Sequence, residues 1–149
     1  MKIKMDFTNP EVLDQFVDAG IEAIDKALNY TAIEAWGNIR KESPVDHGRL
    51  AGSWELTQEG RNYRIFSNVE YVLAVHEGTG IHGPKGEPIE ILPKNKKALY
   101  WPGADHPVAR VLHPGQKPNR FVDRSLRMTE DRTGEFIDRA IREVMGRFE

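Results

Sequence analysis

A chain of 149 residues with a formal net charge of −2 has the size of one ordinary domain and is long enough to bury a full core. It contains no cysteine, which excludes a disulfide framework and any thiolate metal site and fits manufacture in a reducing cytoplasm. No apolar run approaches the ~20 residues of a membrane span, and Met1-Lys2-Ile3-Lys4-Met5-Asp6 lacks the apolar centre of a secretion signal. The expectation is a soluble, unexported protein with no membrane partner, one domain over 1–149, held together by packing.

Taken in order, Asn9-Pro10-Glu11 is a helix start: a capping side chain, a proline at the first helical position and a carboxylate at the positive end of the dipole. From there Val12, Leu13, Phe16, Val17, Ile24, Ala27, Leu28, Ala35, Trp36 and Ile39 recur at three- and four-residue steps, which predicts one amphipathic helix over 10–42, about 45 Å long or more. Gly20 and Gly37 weaken it or let it bend. A helix that long is out of proportion to a single domain, so either it lies across its own sheet or part of its stripe lies against a neighbouring subunit.

Ser43 to Ser53 is a corner. Pro44 disfavours helical geometry at Ser43 and stops the helix near Glu42; Asp46 bonds its own backbone two residues on, and Gly48 takes a positive φ. Arg49 is the only strong cation of that loop, and on these residues alone the bland account is a turn carrying a solvated arginine. Alternation from Ser53 to Glu59 predicts a half-buried strand, Glu59-Gly60-Arg61-Asn62 a turn, and Tyr63 to Phe66 the returning strand. Val69, Val72, Leu73 and His76 have helical spacing, so Tyr71 to Val75 reads as a helical turn that delivers Glu77 to the next loop.

Glu77 to Pro88 holds four glycines and two prolines. It reads as a flexible loop, of the kind that orders on contact, with residues 80–88 as its active part. Three short strands are expected after it, at Ile89–Leu92, Ala98–Trp101 and Val108–Leu112, with a basic turn at Lys94-Asn95-Lys96-Lys97. His113 to Arg120 is an extended Pro/Gly turn. The last helix is expected over 119–148, its polar face laced at i,i+4 by Asp123–Arg127, Glu135–Arg139, Asp138–Arg142 and Glu143–Arg147, with Gly134 as an interruption. The elements define an α+β fold: a long N-terminal helix and a C-terminal helix packed on a small, mainly antiparallel sheet built from 50–113. Trp36, Trp54, Tyr71 and Phe121 are the expected core anchors.

Three stretches in this order, SPVDHGRLAGSW, YVLAVHEGTG and HPGQKPNRFVDRSL, resemble the minor tail component and neck proteins of tailed bacteriophages. Members typically read Ser/Thr-Pro-Val-Asp-Thr-Gly-x-Leu, then a tyrosine with Glu-x-Gly-Thr, then a proline-rich turn ending in Pro-Phe and a helix. The resemblance runs from about Ala35 to Leu126. His47 stands where the family usually has threonine, and Glu77 is followed directly by Gly78. The resemblance implies a virion structural protein made in the host cytoplasm and placed in the neck or tail, from a phage or an integrated prophage. It further implies a role in head–tail joining or tail completion, no enzymatic turnover, no cofactor and no metal. It also implies a homo-oligomeric ring among other connector or tail proteins, monomeric in isolation or not, with heterologous interfaces. Asp46, Arg49, Glu77, Thr79, Lys85 and Arg120 are then the candidate interface and loop-locking residues.

Other chemistry is weaker. His76-Glu77 begins like a zinc-protease helix, but the second histidine of that motif would fall at Gly80. A site from His76, His82, His106 and His113 would need loops to converge. No Gly-x-Ser-x-Gly elbow surrounds any serine, and Gly78 to Gly83 lacks the Gly-Lys-Ser/Thr ending of a phosphate loop. Segment 80–120 is the one basic region, with seven Lys/Arg against three Asp/Glu. Lys85, Lys94, Lys96, Lys97, Arg110, Lys117 and Arg120 with Tyr100 and Trp101 would suit a DNA-contacting face, so a small DNA-binding or metal-dependent protein is the alternative, DNA in a channel being one version of it.

Overall fold

Two antiparallel helices form the spine. The computed structural model describes residues 10–45 and 48–148; the expected cap Asn9 and the corner residues Asp46 and His47 lie outside them. Helix α1 (Pro10–Glu42) runs unbroken for 33 residues through Gly20 and Gly37, and α4 (Phe121–Met145) runs through Gly134 without interruption. No described helix is long and apolar enough to cross a membrane.

Six contacts mark the seam between the helices and fix their direction. Glu22 meets Arg147 at 2.7 Å, Lys26 meets Glu143 at 3.3 Å and Tyr30 donates to Glu143 at 2.6 Å. Glu34 meets Arg132 at 2.6 Å, Asn38 donates to Thr129 at 3.1 Å and Glu42 meets Arg124 at 2.9 Å. This corrects the expected lacing within α4. Among the described residues none of the four anticipated i,i+4 ion pairs forms; Arg147 turns instead to Glu22 across the seam. An i,i+4 pair that does form in α4 is Arg139–Glu143 at 2.8 Å, while Arg142 donates to the backbone oxygen of Asp138. The Tyr30 hydroxyl first, then Arg139, hold the Glu143 carboxyl down to about 2 from its usual 4.5.

The corner after α1 is more structured than a turn. Ser43 closes the helix through both its amide and its hydroxyl on the Ile39 oxygen, and a short helix α2 (Arg49–Gly52) follows. Because Ser53 closes α2 by hydrogen-bonding back to Leu50, the first strand starts two residues later than expected. Strands β1 (Glu55–Glu59) and β2 (Asn62–Phe66) form a hairpin with Glu59 opposite Asn62. Helix α3 (Val72–Glu77) stands where a helical turn was expected.

The sheet divides in two. Strands β3 (Ile89–Ile91) and β4 (Val111–His113) pair antiparallel in a second, separate ribbon, with Ile89 opposite His113. The strand expected at Ala98–Trp101 reduces to a single bridge, Leu99 to Val108, and the one expected at 108–112 starts at Val111. Pro93, Pro102 and Pro107 lack the amide donors a continuous ladder needs.

The core sits where α1, α2, Trp54 at the entry to β1 and the first turn of α4 meet. Ile39, Leu50, Trp54 and Phe121 are buried together, with Trp36, Ile65, Val69, Val72, Val75 and Val122 packed around them. Phe121 is fully buried, which contributes roughly 2–3 kcal/mol by area alone. Trp54 meets it edge to face at 6.2 Å. The indole of Trp54 donates to the Ser43 hydroxyl and that of Trp36 to the Trp54 oxygen, both at 2.8 Å. Tyr71 is not a core anchor: it is exposed, and the Arg49 guanidinium lies 5.9 Å from its ring centre. It sits at the N-terminal edge of α3, whose inward face is taken by Val72 and Val75.

Candidate functional site

The three sequence stretches that stand out in the chain fold onto one another. Residues 78–83 cross residues 113–118 backbone against backbone. The Thr79 amide donates to the Gln116 oxygen and the Ile81 amide to the Pro114 oxygen, both at 2.8 Å. In return the Gln116 amide donates to the Thr79 hydroxyl at 2.9 Å. The crossing continues into α4, where the Asn119 and Arg120 amides donate to the Val75 and His76 oxygens at 3.0 and 3.2 Å. The exposed C-terminal carbonyls of α3 are thereby satisfied by the residues that begin α4.

Only glycine permits this approach. Gly78, Gly80 and Gly115 all have positive φ, at 82°, 63° and 88°. A Cβ on Gly78 would lie 2.7 Å from the Gln116 oxygen; on Gly80 it would strike the Pro114 carbonyl and on Gly115 the Thr79 carbonyl. The neighbours are backbone atoms of a segment already hydrogen-bonded in place, so nothing yields. The expectation of a flexible 80–88 loop is therefore corrected in its first part: residues 80–82 form a single 3₁₀ turn inside the crossing, and the exposed stretch is 84–88.

The six candidate residues separate accordingly. Thr79 is a structural pin at the crossing. Arg120 is exposed, has φ 54° and supplies the amide that caps α3. Glu77 ends α3, half-buried and without a hydrogen bond or ion pair among the described residues. Arg49 begins α2, exposed, beside Tyr71. Lys85 is exposed on the 84–88 stretch, and Asp46 lies outside the described residues. Thr79, Arg120 and Glu77 gather at the crossing; Arg49 sits on the corner and Lys85 on the exposed stretch beyond the 3₁₀ turn.

The histidines are dispersed in role. His76 packs edge-on against Phe121 at 5.6 Å with Nε2 3.7 Å from Asp123; its buried Nδ1 has no partner among the described residues. His113 Nδ1 accepts from the Gly115 amide at 2.9 Å and so shapes the crossing. Among the described residues no three His, Asp or Glu side chains come together as a metal ion requires.

Two apolar surfaces lie outside the core. Every residue from Pro10 to Asp18 is exposed, Val12, Leu13 and Val17 among them, and the stripe continues to Ile24, which is 57% exposed. Arg147, two residues past the end of α4, pairs with Glu22, so residues 10–18 of α1 lie beyond the last contact seen between the two helices. The second surface is the β3–β4 ribbon. Directly opposed residues share a face, which puts Ile89 and Ile91 with Val111 and His113. An open hollow of about 490 Å³ is lined there by Ile91, Leu99, Tyr100, Trp101, Val111 and His113. Tyr100 is 68% exposed and Trp101 46%. Sequence reasoning placed a strand at each end of this ribbon but missed its exposure; the signal was the absence of any further apolar element in 84–120 to cover it.

The chain matches no family model, and no curated protein or solved structure is significantly similar to it.

Proposed function

We propose that this chain is a structural component of a tailed-bacteriophage particle, a neck or tail-completion protein that joins head to tail or finishes the tail by assembling with copies of itself and with other connector or tail proteins. In this reading it makes and breaks no bond and needs no cofactor. One observation carries the reading: of the three stretches that resemble such proteins, the second and third cross backbone against backbone, and the first packs on them through Leu50 and Trp54 against Phe121. Their glycines, prolines and aromatic residues there set backbone position, and among the described residues no three His, Asp or Glu side chains come together. The apolar surface outside that crossing supports it, since exposed contiguous patches of this kind mark interaction sites.

Deleting the coding sequence from the phage or prophage that carries it tests the reading by electron microscopy. Unjoined heads and tails, or tails of defective length or ending, are the expected result; normal infectious particles would refute it. Arg49→Ala and Glu77→Ala are expected to leave the fold intact but to impair particle joining when supplied in the same background. A second reading, contact with DNA, rests on exposed Lys94, Lys96 and Lys97 beside exposed Tyr100 and Trp101. Salt-dependent DNA binding by the purified chain is its mark.

A further inference from the structure

The two apolar surfaces carry opposite charge. Residues 10–18 of α1 hold Glu11, Asp14 and Asp18 and no Lys or Arg, a net −3 over about two and a half turns. In the helix Asp14 and Asp18 each follow an apolar residue, Leu13 and Val17, so an acidic row runs alongside the apolar one. The connection out of β3 holds Lys94, Lys96 and Lys97 and no Asp or Glu, a net +3 over residues 94–97, next to the apolar face with Tyr100 and Trp101. Each surface has an apolar strip with a charged border, and the borders are complementary.

We propose that the β3–β4 ribbon of one copy docks on the first turns of α1 of a second copy. Leu13, Val17 and Ile24 would cover the face built from Ile91, Tyr100 and Trp101, and Asp14 and Asp18 would meet the 94–97 lysines. The aliphatic half of the ribbon face decides for protein over nucleic acid, because Ile89, Ile91 and Val111 offer nothing to a base or a phosphate but suit the aliphatic row of a helix. Tyr100 and Trp101 are of the residue types that anchor protein interfaces. The two surfaces belong to different elements, so the contact is heterologous and leaves one of each kind open on every pair; copies add head to tail. The inference rests on the assembly reading above and names the surfaces through which that assembly proceeds.

Two blocked variants test it. Leu13→Asp/Val17→Asp removes the helix surface, and Tyr100→Ser/Trp101→Ser removes the ribbon surface. All four side chains are exposed, so both variants are expected to fold, which circular dichroism checks. In sedimentation velocity the full-length wild type is expected to form a concentration-dependent series. Each variant alone stays monomeric, and an equimolar mixture gives a discrete dimer, because each supplies the surface the other lacks. Lys96→Glu/Lys97→Glu is expected to weaken association about tenfold, and adding Asp14→Lys/Asp18→Lys on the same chain to recover it. A wild type that stays monomeric throughout, variants that still associate, or a mixture that gives no dimer would each overturn the proposal. So would double-stranded DNA binding that Tyr100→Ser/Trp101→Ser abolishes while self-association is untouched. Particles that need the chain although the mixture fails would sink this interface and leave the structural role standing; a mixture that dimerises although deletion leaves particles normal would do the reverse.

Discussion

The crossing of residues 78–83 over 113–118 and the β3–β4 ribbon are both made of short, glycine- and proline-rich segments, yet they are opposite in construction. At the crossing, reciprocal backbone hydrogen bonds, three positive-φ glycines and a fully buried Phe121 leave no slack. In the ribbon, two three-residue strands and one bridge hold a largely exposed face, and a two-stranded ribbon is marginal alone in water. The lesson is that glycine content does not indicate mobility. In one place glycine admits a backbone into contact, and in the other it only turns the chain.

Substitutions at matched positions break or sharpen that contrast. The largest effect is expected from Gly115→Ala, whose Cβ would strike the Thr79 carbonyl at φ 88°. It should cost about 4 kcal/mol or more and leave much of the protein unfolded in a urea titration. Gly103→Ala, also at positive φ (94°) but with nothing within 4 Å, should cost only about 1 kcal/mol. Equal losses for the two would show that close approach is not what the crossing glycines provide. Phe121→Ala should cost about 3–5 kcal/mol, since it empties the centre of the core and removes the edge contacts to Trp54 and His76.

Asn38→Ala tests the seam between α1 and α4. It removes a buried hydrogen bond to Thr129 and should cost about 1–2 kcal/mol in the same titration. A smaller effect is expected from acid. The folded Glu143 carboxyl titrates at about 2 against a usual 4.5, chiefly because Tyr30 donates to it. A depressed folded pKa means that its stabilisation is complete above about 4.5 and is lost as the pH falls towards about 2. Thermal melts of the wild type should decline over that window, and Glu143→Gln should flatten the decline. Smallest of all are Leu13→Asp and Trp101→Ser, which should change folding stability by no more than about 0.5 kcal/mol because both side chains are exposed.

The regular parts of this fold are legible because their periodicity is long. Thirty-three residues of α1 and twenty-five of α4 repeat their apolar positions often enough to be read directly, and Trp54 and Phe121 were identifiable as anchors. Arg49–Gly52 was hidden because four residues carry no period. Tyr71 misled because an aromatic residue at the edge of a helical turn has the same local pattern whether it faces in or out. The crossing was legible only in its ingredients. Gly78, Gly80 and Gly115 announce turns, but that Thr79 meets Gln116 across 37 residues is a tertiary fact. Local pattern also could not distinguish a strand that buries its apolar residues from one that keeps them at the surface, as Ile89 and Ile91 do.

Amide hydrogen exchange of the full-length chain, followed at low and at high concentration, bears most directly on a rigid crossing flanked by surfaces made for neighbours. At low concentration the amides of Thr79, Ile81, Asn119 and Arg120 should be protected to the level of global unfolding, while those of β3 and β4 exchange rapidly. At high concentration new protection should appear in 10–24 and 89–113 and nowhere in the crossing. Fast exchange at the crossing, or concentration-dependent protection confined to it, would contradict the account.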